Sequence, residues 1–119
     1  MRVRLKVREV TAEEFRHHLD ALGADYRERL PDKVAAIYGL WRDSMCGVAS
    51  PDRLTDLKRE LHTLAGSART FGVANVGELA RTAESLLDAC CERGTLPDAG
   101  STAEMARLLD ALQSAVAGA

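Results

Sequence analysis

The chain has 119 residues, enough for one domain that buries roughly two-thirds of the surface its unfolded form exposes. Its formal net charge of -2, with 29% charged residues, gives no general attraction to nucleic acid or to an anionic membrane. No apolar run approaches the roughly 20 residues of a transmembrane helix, and no secretory signal follows the basic N-terminus. We therefore expect a cytoplasmic protein with neither a nucleic-acid nor a membrane partner.

The first ten residues differ in pattern from the rest of the chain. Residues 1–10 alternate apolar and basic side chains, which is strand periodicity, but nothing later in the sequence offers a pairing strand. We interpret them as an extended N-terminal arm or linker. Residues 11–119 are then predicted to form one helical bundle domain.

Two helical patterns follow the arm. Thr11, with Glu14 three residues later, has the capping-box arrangement of a helix start. Apolar residues then recur at helical spacing: Phe15, Leu19, Leu22, Tyr26 and Leu30. Pro31 suits the first turn of a second helix, whose apolar stripe is Val34, Ile37, Tyr38, Trp41 and Met45. The alternative is a single helix kinked at Gly23 or Pro31.

The next helix has both boundaries marked by sequence. Ser50 is suited to cap its N-terminus and Pro51 to its first turn, while Gly72 is predicted to end it as a left-handed residue. Its apolar stripe is Leu54, Leu57, Leu61, Leu64, Ala68 and Phe71.

Two more amphipathic helices complete the chain. Asn75 with Glu78 and Ser101 with Glu104 are the predicted helix starts. The stripes are Val76, Leu79, Ala83, Leu86 and Cys90, then Met105, Leu108, Leu109, Leu112 and Val116. The fold class predicted is all-α, an up-and-down antiparallel four-helix bundle with an additional N-terminal helix.

One histidine lies on the wrong face of its helix for a core residue. At about 100° per residue, His62 points more than a right angle away from the leucine stripe. The residues within about 60° of it are cationic or small: Thr55, Lys58, Arg59, Ala65, Gly66 and Arg69. We predict that His62 faces solvent in the middle of a bundle helix.

Small and cationic neighbours suggest what His62 could do. A glycine inside a helix costs roughly 0.5–1 kcal/mol relative to alanine, so Gly66 needs a reason, and with Ala65 it would let another protein approach the ring. Lys58, Arg59 and Arg69 could bind or screen the oxygens of a phosphoryl group on the ring. The cations alone could equally be a solvated basic face.

The run from His62 to Gly72, HTLAGSARTFG, resembles the signature of histidine phosphotransfer (HPt) domains. The matching features are the histidine, the glycine four residues on, the small residues Ser67 and Ala68 after it, and the glycine where the helix ends. The resemblance extends more weakly over residues 12–117 through the order and lengths of the helices. Many members of the family have lysine three residues after the histidine, where this chain has Ala65.

The resemblance implies a phosphocarrier with no ATP-binding motif of its own. His62 would be the phosphoacceptor, and Lys58, Arg59 and Arg69 would stabilise the phosphoryl group. Residues 65–67, which are Ala65, Gly66 and Ser67, would dock the partner. The partners implied are response-regulator receiver domains and a hybrid sensor histidine kinase. No cofactor or metal is expected on this chain, because the Mg²⁺ belongs to the receiver.

Other chemistry-bearing residues receive structural interpretations. His17 and His18 are adjacent, so they point about 100° apart and cannot form a metal-binding pair one turn apart. Glu84 and Asp88 are interpreted as solvated surface residues, with one of them pairing with Arg81. Two functional alternatives remain open: an adaptor that docks receiver or kinase domains without phosphorylation, and a purely structural bundle.

Overall fold

The computed structural model describes residues 11–45, 51–93 and 97–118. Within these ranges the chain forms four helices: α1 (Ala12–Met45), α2 (Pro51–Thr70), α3 (Ala74–Arg93) and α4 (Ala99–Ala117). Each helix packs on its neighbours in the chain, and α1 also packs on α4. This is the arrangement of an up-and-down bundle, so the predicted all-α fold class is confirmed. The predicted arm and the predicted cap at Ser50 lie outside the described residues.

The first two predicted helices are one continuous helix. α1 has 34 residues and contains Pro31 in its interior, so the prediction of a second helix starting at Pro31 is wrong. The alternative of a single helix is right, while the kink predicted with it at Gly23 or Pro31 stays a prediction. Pro31 is exposed, whereas Leu30 and Val34 beside it are buried. Proline has no N–H to donate to the carbonyl four residues earlier. Because this side of the helix faces water, solvent can donate to that carbonyl instead.

The N-terminal part of α1 projects beyond the bundle. A 34-residue helix is about 51 Å long and a 20-residue helix about 30 Å. Three large apolar side chains on the projecting part remain solvent-accessible, namely Phe15 at 60%, Leu19 at 45% and Leu22 at 45%. The predicted additional N-terminal helix is therefore the first half of α1 and not a separate element.

The core consists of the predicted apolar stripes. Its fully buried leucines include Leu54, Leu57 and Leu61 on α2, and these pack with residues of the other three helices. Trp41, which belongs to one of the predicted apolar stripes, is buried in the same cluster. α2 thus packs on α1 and on α3, and its remaining face is exposed to solvent.

A tight turn joins α2 to α3. Gly72 has φ +79°, the left-handed conformation predicted for it. The Val73 amide donates to the carbonyl of Ala68 at 2.8 Å, and the Gly72 amide donates to that of Arg69 at 3.3 Å. These two bonds form a Schellman motif, which reverses the chain within three residues and so fixes the register of α2 against α3.

The helix starts agree only in part with prediction. The Glu14 amide donates to Thr11 Oγ1 at 3.0 Å, which confirms the cap of α1. The predicted helix starts at Asn75 and Ser101 lie one and two residues inside the helices, because α3 begins at Ala74 and α4 at Ala99. Asp98 caps α4 instead, and its carboxylate accepts from the Ser101 amide at 2.8 Å.

Candidate functional site

His62 lies at the middle of α2 with its side chain 76% exposed. Its neighbours Leu61 and Leu64 are buried in the core. Because those leucines fix the rotation of α2 about its axis, His62 must project from the opposite side of the helix. The predicted solvent-facing position of this ring is therefore confirmed.

Glu84 on α3 holds the ring of His62. The Glu84 carboxylate lies 2.8 Å from Nδ1 of His62, and its side chain is only 24% exposed. An ionised carboxylate can only accept, so Nδ1 carries the proton in this contact. In the neutral ring the lone pair is then on Nε2, which makes no hydrogen bond to any described residue. The contact orients the imidazole and leaves its nucleophilic nitrogen open to solvent.

The interpretation of Glu84 as a solvated surface residue is wrong, whereas Asp88 is exposed as predicted. Both reach across to α2, Glu84 to His62 and Asp88 to Lys58 at 2.9 Å. Neither of them forms an ion pair with Arg81 among the described residues. The signal that could have found them is the turn at Gly72, because residues equally far from a tight turn face each other on antiparallel helices.

The cations predicted around His62 differ in their surroundings. Lys58 is 31% exposed and ion-paired with Asp88, and Arg59 pairs with Asp56 on its own helix at 3.5 Å. Such exposed pairs contribute about 0–1 kcal/mol, so an incoming dianion could displace them. Arg69 is exposed two turns beyond His62 and forms no ion pair within the described part of the chain. Their predicted role in phosphate stabilisation stays a prediction.

On the side of α2 that carries His62, the next turn has only very small side chains, at Ala65 and Gly66. Gly66 is exposed, and a Cβ added to it would meet no atom within 4 Å. Ala65 is partly exposed beside it. The glycine therefore makes no close packing contact with any described residue of another helix, so packing within the described bundle does not explain its position in the helix interior.

Ser67 points towards α1. Its hydroxyl lies 2.7 Å from the phenol oxygen of Tyr26, and the Tyr26 ring stacks on Phe71 at a centroid distance of 4.8 Å. Burial raises the pKa of Tyr26 above its usual value of 10.0, while the hydrogen bond to Ser67 acts in the opposite direction. The hydroxyl of Ser67 is thus engaged in joining α1 to α2, and its predicted part in docking is untested.

Metal-ligating side chains do not gather anywhere in the described ranges: no three of His, Cys, Asp and Glu come together in a way that could hold an ion. Cys90 is buried and is not part of a disulfide within the described residues. His17 and His18 are exposed on the projecting part of α1. None of the helices described combines the length and apolar character that crossing a membrane requires.

Comparison with known protein families identifies the family to which this helical bundle belongs. The family model described as Hpt domain matches residues 6–117, nearly the whole chain. The chain therefore belongs to the Hpt domain family, whose members are phosphocarriers of phosphorelays and not kinases, and contact receiver domains of response regulators. No match was found among curated proteins or among solved structures.

Proposed function

We propose that this chain relays a phosphoryl group between receiver-domain aspartates through a phosphohistidine at His62. The observation that carries the proposal is the contact of Glu84 with Nδ1 at 2.8 Å, which leaves Nε2 exposed as the nucleophile. Membership of the Hpt family supports phosphotransfer in general. The relay would be cytoplasmic, and a hybrid sensor histidine kinase would be its upstream source of phosphoryl groups.

The chemistry needs only a positioned imidazole. Nε2 attacks the phosphorus of an aspartyl phosphate on the receiver, so an N–P bond forms while the P–O bond to the aspartate breaks. The electron pair of the broken bond leaves with the aspartate carboxylate. The ring becomes cationic, and Glu84 offsets this charge through the proton on Nδ1, as a buried aspartate does for the histidine of a serine protease. Transfer to a second receiver reverses these steps.

The partner supplies the remaining groups. Mg²⁺ on the receiver would neutralise the phosphoryl oxygens during transfer, and this chain would contribute no metal or nucleotide. Lys58, Arg59 and Arg69 would stabilise the phosphoryl group once it is on His62, and residues 65–67 would lie under the docked receiver.

The relay can be tested with the whole chain and two receiver domains. The chain is mixed with one receiver carrying a ³²P-aspartyl phosphate, repurified and mixed with an unlabelled second receiver. We expect acid-labile, base-stable label on this chain first and on the second receiver afterwards. Binding of the receiver without label on the chain would instead support the phosphorylation-independent adaptor. Absence of both binding and label would leave a structural bundle.

Replacing Glu84 should slow the transfer without unfolding the bundle. A hydrogen bond to a charged group is worth about 1.5–3 kcal/mol, and the exposure of His62 favours the lower figure, so Glu84→Ala should reduce the initial rate about tenfold. Glu84→Gln should reduce it less, because an amide oxygen still accepts from Nδ1. Labelling rates with a phosphorylated receiver give the measurement.

Glu92→Gln provides the matched control for charge, because Glu92 is an exposed residue of the same helix, two turns further on. It should transfer at the rate of the unchanged protein. Equal rates for Glu84→Ala and the unchanged protein would remove Glu84 from the mechanism.

A further inference from the structure

A small cleft lies between α2 and α3, one helical turn from His62. It is lined by Ala65, Arg69, Ala74, Gly77, Glu78 and Arg81. Its volume is about 110 Å³, well below the roughly 300–1,000 Å³ of sites for small organic ligands. A cleft of this size with two arginines suits the oxygens of a compact anion.

Small residues make the cleft and keep it narrow. A Cβ added at Gly77 would lie 3.1 Å from the carbonyl oxygen of Ala65, so the two backbones approach closely at this level. Ala65 has no side chain beyond Cβ to fill the space above that contact. At Ala65, between His62 and Arg69, the α2 side of the cleft therefore carries only a methyl group.

The register of the two helices places Arg81 opposite Ala65. His62 faces Glu84 and Lys58 faces Asp88, so α2 and α3 run antiparallel in a fixed alignment. Ala65 follows His62 by three residues and Arg81 precedes Glu84 by three. Arg81 therefore lies about 4.5 Å along the bundle axis from the level of His62, whereas Arg69 lies about 10.5 Å away.

Arg81 is also not engaged by a carboxylate. Lys58 and Arg59 each have an acidic partner, but Arg81 forms no ion pair with any residue of the described ranges. Glu78 lines the same cleft, so the two arginines leave a net charge of +1 there. A guanidinium offers several N–H donors in a planar fork that matches phosphoryl oxygens.

We propose that Arg81 of α3 binds the phosphoryl oxygens of phosphorylated His62 across the space that Ala65 leaves open. This inference rests on the phosphocarrier function proposed above and adds a residue from a second helix to it. Arg81 forms and breaks no covalent bond. Its effect is to stabilise the phosphohistidine, so it slows hydrolysis and shifts the transfer equilibrium towards this chain.

The test uses chemical phosphorylation, which does not depend on a receiver. Potassium phosphoramidate phosphorylates accessible imidazoles, and a background with His17→Gln and His18→Gln confines the label to His62. In this background Arg81→Ala should hydrolyse its phosphohistidine about threefold to tenfold faster than the parent and shift its ³¹P resonance. Arg81→Lys should recover part of the loss.

Two further variants separate binding from a structural effect. Arg29→Ala on α1 removes the same charge from an exposed residue and should leave the hydrolysis rate unchanged. Ala65→Lys in the Arg81→Ala background places a cation at the same level from the other helix, and should restore slow hydrolysis.

The hydrolysis rates and ³¹P resonances test the role of Arg81, and transfer with receivers tests the relay separately. Equal hydrolysis rates and ³¹P resonances for Arg81→Ala and the parent would overturn the role of Arg81, as would failure of phosphoramidate to modify His62. If the chemically formed phosphohistidine depends on Arg81 but no receiver donates to or accepts from this chain, the assignment of Arg81 stands and the relay fails.

Discussion

His62→Gln is expected to abolish the acid-labile label that this chain acquires from a phosphorylated receiver. Glutamine keeps a polar side chain of similar length but has no nitrogen with a lone pair available for attack on phosphorus. Because His62 is 76% exposed and outside the core, the substitution should lower the free energy of unfolding by no more than the contact with Glu84 contributes, about 1.5 kcal/mol. Loss of label with an unchanged fold would therefore mean that the substitution removes the nucleophile and does not unfold the protein.

The controls come from the same chain, which has three histidines. His17→Gln and His18→Gln alter exposed histidines on the projecting part of α1, and both should label at the rate of the unchanged protein. Circular dichroism and the thermal midpoint check the fold of all three variants. Retention of label in His62→Gln would place the phosphoacceptor elsewhere and end the proposal for this residue.

Most of the bundle was predictable because each apolar stripe has helical periodicity on its own. The buried positions of α2 and the left-handed Gly72 needed no knowledge of other helices. Pro31 was misjudged because its penalty of about 3 kcal/mol in a helix interior is a local quantity. Burial of Leu30 and Val34 on either side of it is a tertiary contribution that offsets this penalty.

Helical periodicity alone predicted the site only where it lies on one helix. Exposure of His62 followed from the rotation of α2, which the leucines on that helix determine. Glu84 could not be assigned from the periodicity of α3, because its contact with His62 depends on the register between two helices. The same holds for Arg81 and the cleft at Gly77, where the distance between backbones matters.

A bulky side chain at Gly66 should block phosphotransfer while leaving the bundle folded. A Cβ at this position meets no atom within 4 Å, so no residue in the described part of the chain opposes a larger side chain. A docked receiver must bring its aspartyl phosphate to Nε2 of His62, one turn away, and would meet the new side chain. We expect Gly66→Leu to lower the transfer rate by at least about tenfold, since misplacing reacting groups by about 1 Å can cost a hundredfold.

Substitutions of Gly66 should stabilise the bundle while they slow phosphotransfer. Gly66→Ala should raise the free energy of unfolding by about 0.4–1 kcal/mol, because alanine loses less conformational entropy in a helix. Gly39 on α1 is the matched control, because an added Cβ there also meets nothing within 4 Å. Gly39→Ala should be stabilising to a similar degree and transfer normally. Urea denaturation and initial labelling rates measure the two quantities.

Glu60→Leu controls for bulk on α2. Glu60 is exposed and lies about 160° around the helix from His62, so leucine there should not meet a receiver docked over the ring. Normal transfer in this variant with slow transfer in Gly66→Leu would locate the docking surface on the face that His62 and Gly66 share. Normal transfer in both would mean that the receiver approaches from another direction, and Gly66 would then have no part in docking.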